Sequence, residues 1–145
     1  MFEGCSSLIV PGKAALGYAD THKNSTLETE CFHSMFQGCT SLKFTPNLPF
    51  LNLANSCYRG MFENCTSLTG ASPLPATTLV TMCYNRMFYG CSNLSSLSAA
   101  FDTWVSNTTS NWVSGINTTG VYYGPSGLVA TKSVSNIPTN WSKSP

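Results

Sequence analysis

The chain has 145 residues and a net charge of +1, with 42% hydrophobic and only 9% charged residues. This excludes a disordered polyelectrolyte, gives no electrostatic footprint for nucleic acid or an acidic membrane surface, and bounds the protein to one modest domain. Lys13, Lys23, Lys43, Arg59, Arg86, Lys132 and Lys143 are scattered rather than striped. No apolar run approaches the roughly 20 residues that span a bilayer.

The chain opens on Met1–Leu8, MFEGCSSL, which returns later inside a longer phrase. Cys31–Leu42 reads CFHSMFQGCTSL, Cys57–Leu68 reads CYRGMFENCTSL and Cys83–Leu94 reads CYNRMFYGCSNL. The Met-Phe pairs begin at 1, 35, 61 and 87, steps of 34, 26 and 26. A period in the twenties predicts a stack of coils, each of which buries its apolar face only against its neighbours. Because Met1 stands at the Met position of the phrase, the expectation is a fragment of a longer array, or a start assigned to an internal Met. No basic segment and apolar core follow Met1 as in a secretory leader. The longer first step places a polar surface loop around Tyr18–Asn24, with Asp20, His22 and Lys23.

Within each full copy the spacing predicts a short amphipathic helix. Thr29, Asn55 and Thr81 occupy equivalent N-cap positions. On a helical wheel Cys57, Tyr58, Met61 and Phe62 share one arc, while Arg59, Gly60 and Glu63 face away. Gly38, Asn64 and Gly90, matched by Gly4, stand where a helix ends in a left-handed residue. Leu8, Leu42, Leu68 and Leu94 then lead into extended segments. Leu27, Leu53 and Leu79 add a further ladder, one rung per coil. Leu48-Pro49 and Leu74-Pro75 are equivalent, with Pro at a strand edge or turn.

After Leu94 the phrase stops. Asn107–Gly120 is rich in Asn, Ser and Thr, yet Trp104, Trp112, Ile116, Val121, Tyr122, Tyr123, Ile137 and Trp141 are spaced apolar anchors. Val121-Tyr122-Tyr123 before Gly124-Pro125 predicts a short strand running into a turn. The division expected is a repeat array over 1–104 and a C-terminal cap over 105–145.

The repeated MF-x-G-C-[ST]-[SN]-L with a preceding C-[FY]-x-x resembles the BspA-like leucine-rich repeat surface proteins of anaerobic, often gut-dwelling, bacteria. The phrase covers roughly Met1–Phe101. The tail elements Asn111–Gly115, Gly120–Tyr122 and Ile137–Trp141 are similar to C-terminal ends of such arrays. The resemblance implies an α/β repeat solenoid of leucine-rich-repeat-like coils of about 26 residues, each a short helix plus short strands. It implies a secreted or surface-attached protein that binds protein, matrix or cell-surface ligands in adhesion. It names no ligand, because function belongs to a site rather than a fold.

The candidate sites are few. Cys31/Cys39, Cys57/Cys65 and Cys83/Cys91 share a C-x7-C spacing, which across a two-turn helix is too long for a disulfide. Two ladders of buried thiols are the reading, with disulfides between equivalent cysteines of adjacent coils as the alternative. The spacing also lacks the form of a zinc knuckle. Cys31 and His33 point to different faces of a helix, so they make no nucleophile pair. Asp20 with His22 reads as a polar loop, and Glu28 with Glu30 as charges favoured near a helix start. The Met-Phe pairs read as core, and the tail aromatics as cap core or, alternatively, as a platform for a glycan. No catalytic, cofactor or metal set converges, so the expectation is a non-enzymatic interaction module without cofactor. A carbohydrate-binding or phage-type appendage and a passive spacer are the alternatives. No nucleic-acid partner and no membrane insertion are expected.

Overall fold

The phrase that reads as a helix folds as a ladder of turns. In each copy every fourth residue takes a left-handed backbone: Glu30, Ser34 and Gly38; then Ser56, Gly60 and Asn64; then Met82, Arg86 and Gly90, with φ between 51° and 72°. The computed structural model describes Gly4, Asn24 and residues 26–145. The remainder of the first copy and of the Tyr18–Asn24 loop, with Asp20, His22 and Lys23, lies outside the described residues.

Hydrogen bonding alternates along each ladder. Cys57, Arg59, Met61, Glu63 and Cys65 donate their N–H to the carbonyl three residues back. The residues between them send theirs out of the coil: Ser56 to Thr81, Tyr58 to Cys83, Gly60 to Asn85, Phe62 to Met87 and Asn64 to Tyr89, at 2.7–3.1 Å. An α-helix needs every N–H to reach back four residues within its own segment. Here half of them join neighbouring coils.

This overturns the helix-plus-strand architecture: among the described residues there is no helix, and the strands are three short parallel ones. The misreading has a definite cause. Over nine residues a period of four and one of 3.6 place Cys57, Met61 and Cys65 within about 80° of one another, so both put them on one face. Thr29, Asn55 and Thr81 therefore cap no helix, and Gly38, Asn64 and Gly90 are each the third left-handed residue of a ladder.

The strands are β1 (Ser96–Ser98), β2 (Val121–Tyr123) and β3 (Ser142–Ser144), in the order β1-β2-β3. Leu97 pairs with Tyr122 and Tyr122 with Lys143. Isolated parallel bridges extend the same line backwards, Phe44 to Gly70 and Gly70 to Ser96, while Thr26 bridges Asn52 on another side of the coil. From coil to coil partners lie 25 or 26 residues apart until β3, which follows β2 by only 21, and a local bridge joins Lys132 to Ile137.

The ladder continues past the last written copy. Asn107, Asn111 and Gly115 are left-handed, and Tyr84, Arg86, Phe88 and Gly90 donate to the carbonyls of Thr108, Ser110, Trp112 and Ser114. Asn107–Ile116 is thus a further coil in which Trp112 takes the place of Met87 and Trp104 that of Leu79. At the other end Gly4 donates to Gln37 as Gly38 does to Glu63.

Stacking like residues over like makes the core. Phe32, Tyr58 and Tyr84 form one column, with ring centroids 5.5 and 6.0 Å apart and nearly parallel planes. Phe36, Phe62 and Phe88 form a second, at 5.5 and 5.7 Å. Each pair contributes about 0.5–1.5 kcal/mol beyond its buried area. Met61, Met87, Leu42, Leu68 and Leu94 are fully buried, and Met35 packs against them half-buried. Trp112 closes the columns, 6.2 Å from Tyr84 and 6.4 Å from Phe88. Gly120 is required where the Ser95 carbonyl and the Trp141 indole close on the backbone: a Cβ there would run into the carbonyl oxygen and come within 2.6 Å of the indole.

Candidate functional site

In β1 and β2 the side chains alternate between the two faces. Leu97 and Tyr122 point inward and are fully buried, which turns Ser96, Ser98, Val121 and Tyr123 outward. Because Phe44, Gly70 and Ser96 bridge in register with Val121, Phe44 belongs to the same outward row. Phe44 is 51% exposed and Tyr123 42% exposed. With neighbouring strands about 4.8 Å apart, the two rings stand roughly 15 Å from each other. Between them lie Gly70, Ser96 and Ser98, a low floor without charge. Thr45, at an inward position, ties the floor together by accepting a 2.7 Å bond from the Ser72 N–H.

A cleft of about 420 Å³ opens elsewhere, at the end of the last turn ladder. Trp104, Val105, Ser106, Asn107, Thr109, Ser110, Ser135 and Asn136 line it, with no charged side chain among them. Trp104 is held edge-on to Phe101 and donates its indole N–H to the Val129 carbonyl at 2.9 Å.

The other tail aromatics are interior. Trp112, Tyr122 and Trp141 are buried, and the indole N–H groups of Trp112 and Trp141 donate to Asn136 and Asn117. Of the tail rings, therefore, Tyr123 and part of Trp104 meet solvent. Phe44 went unnoticed in the sequence because it lies outside the repeated phrase, and Tyr123, read there as an apolar anchor of the cap, is instead exposed. Their outward facing depends on strand register, although the alternation in Val121–Tyr123 was a usable signal.

The cysteines sit in two columns. Cys57, Cys65, Cys83 and Cys91 are free and buried, Cys31 is free and exposed, and Cys39 is buried. The Cys65 and Cys91 thiols donate to the Phe36 and Phe62 carbonyls of the adjacent coil at 3.0 Å. Burial pushes the Cys57 and Cys65 thiols up to about 12 and Cys83 to about 11, and raises Cys91 well above its ordinary value. Such thiols carry almost no thiolate at neutral pH and are poor nucleophiles. Glu28 and Glu30 are exposed, with Glu30 in the left-handed region rather than in a helix's first turn. His33 lies half-buried, its N–H bonded to the Glu30 carbonyl.

Among the described residues no group of three or more His, Cys, Asp or Glu is placed to hold a metal ion. No helix among them is long and apolar enough to cross a membrane. No family model, curated protein or solved structure matches this chain.

Proposed function

We propose that this chain is a non-enzymatic interaction module, which binds a protein ligand through the outward face of its parallel sheet. The observation that carries the reading is the pair of exposed rings, Phe44 and Tyr123, set on a flat uncharged floor. Large exposed apolar side chains on a regular surface are where binding energy concentrates, since aromatics supply contact area with few rotors to freeze. The floor of Gly70, Ser96 and Ser98 lets a partner approach between the rings. The resemblance to BspA-like surface proteins supports a bacterial, secreted or cell-surface setting and an adhesive role.

The experiment is a binding panel of immobilised extracellular-matrix proteins and glycans, probed with the native chain and a Phe44→Ser/Tyr123→Ser double variant. The expected result is binding to a protein target that the double variant loses while its melting temperature is kept. A double variant that binds every target equally well overturns the assignment of the sheet face. Binding to glycans alone overturns the protein ligand.

A further inference from the structure

In the described coils before the last, the outward-sent N–H groups of the turn ladder find carbonyls on the next coil. Ser56 and Tyr58 donate to Thr81 and Cys83, and Met82 and Tyr84 donate to Asn107 and Thr108. In the last ladder the equivalent donors are Asn107, Thr109, Asn111, Val113 and Gly115. Two of these are met: Asn111 by the Ser135 hydroxyl at 2.9 Å and Val113 by the Val134 carbonyl at 3.2 Å. The N–H groups of Asn107, Thr109 and Gly115 have no acceptor among the described residues. The reason is length, because the final return of the chain is shorter than a full coil, with β3 following β2 by 21 residues instead of 25. Two of the three unmet donors, Asn107 and Thr109, are walls of the cleft of about 420 Å³, whereas Gly115 stands at the far end of the ladder outside it.

Thr109 is 4% exposed, so its N–H is largely withdrawn from bulk water and an acceptor from a ligand is worth more there than at an open surface. Asn107 has φ 60°, matching Met82 at 55°, so the last ladder starts with the same backbone orientation as the one below it. Trp104, one wall of the cleft, stands at the rung of Leu27, Leu53 and Leu79.

We propose that this cleft is a peptide site, in which an extended, uncharged segment of a partner protein lays main-chain carbonyls on the Asn107 and Thr109 N–H groups. An apolar side chain of that segment packs over Trp104, continuing the Leu rung. The bound segment acts as the missing half coil, a form of strand addition in which main-chain bonds give affinity and one side-chain pocket gives selectivity. The absence of charge on the walls sets the chemistry of the segment, since a buried charge there would find no counter-ion. The site is separate from the sheet face proposed above and stands or falls independently of it.

The test uses the whole 145-residue chain, isotopically labelled, and an acetylated, amidated peptide with the sequence of residues 79–88 carrying Cys83→Ser and Arg86→Gln, so that it is uncharged. That peptide reproduces a coil in register, with its Leu over Trp104. The expected result is saturable binding that shifts the Asn107 and Thr109 amide resonances and slows their hydrogen exchange by roughly tenfold or more. A Ser110→Trp variant, which fills the cleft, abolishes both effects. Unchanged Asn107 and Thr109 amides at saturating peptide overturn the proposal. So does a neutral trisaccharide (chitotriose or maltotriose) that shifts those amides when the peptide does not. The amide readout on the unsubstituted chain decides the matter even where Ser110→Trp fails to fold.

Discussion

Arg86 grips the Glu63 carboxylate of the preceding coil at both oxygens, Nε to Oε2 at 3.0 Å and Nη2 to Oε1 at 2.6 Å. Its guanidinium also lies 4.0 Å from the centre of the Tyr89 ring. The Glu63 hydrogen bond holds the Arg86 pKa above its ordinary value. Glu63 is buried whereas Arg86 keeps 39% of its side chain exposed, so losing the cation hurts chiefly by leaving a carboxylate unpaired. Arg86→Ala is expected to destabilise the fold by about 1–2 kcal/mol, and Arg86→Lys by less. Equilibrium denaturation checks this, and a double-mutant cycle with Glu63→Gln should return a coupling of about 0.5 kcal/mol or more.

The left-handed rungs predict opposite outcomes at two positions. Gly90 has φ 72°, and a Cβ there would run into the Asn64 amide oxygen of the coil below. Gly90→Ala should cost about 2 kcal/mol or more, from the backbone strain and the steric conflict together. Met82 has φ 55° but carries a side chain that is exposed. Met82→Gly relieves a strain of about 1–2 kcal/mol and gives back about 0.5–1 kcal/mol in chain entropy, so it should be neutral to slightly stabilising. Thermal melts of the two variants should move apart, with Gly90→Ala lowered and Met82→Gly held or raised.

Tyr58 buries a hydroxyl that has no hydrogen-bond partner among the described residues, in the column where Phe32 serves at the equivalent position. Its burial raises the phenol pKa above the ordinary value. Tyr58→Phe keeps the ring stack and removes the unsatisfied group, so stability should hold or rise by about 1 kcal/mol. A loss of more than about 1 kcal/mol in chemical denaturation would mean that the hydroxyl has a partner in solution.

The thiol columns predict an alkaline limit. For Cys57, Cys65 and Cys83 the folded-state pKa lies above the ordinary 9.0, at about 12, 12 and 11. Between these limits the unfolded chain has released its protons and the folded chain has not. Stability is therefore full below pH 9 and falls as pH rises toward 11–12, by about 1.4 kcal/mol per pH unit for each thiol. Melting temperature measured from pH 7 to 10.5 should be flat and then drop, and Cys57→Ala should reduce the slope. In the native state at pH 8, Cys31 should label with a thiol reagent well before the five buried cysteines, Cys39, Cys57, Cys65, Cys83 and Cys91.

What the sequence determined by itself was the repetition: which residues are equivalent, the spacing of the coils, and the columns of Met, Phe and Cys, which are inward except at Cys31, exposed on the first described coil. Those follow from period alone, and a period of four looks like a helix over two turns because apolar positions are all that it reports. The choice between helix and ladder depends on where alternate N–H groups go, and from Glu30 to Gly90 their acceptors lie 24 or 25 residues away on another coil. Only the tertiary structure decided that. It also revealed Asn107–Ile116 as a coil, whose apolar residues had diverged while Asn107, Asn111 and Gly115 kept the four-residue spacing of left-handed formers. The exposed pair Phe44 and Tyr123 and the unmet donors of the last ladder are likewise products of stacking, because register and the length of the final return set which groups a neighbouring coil covers.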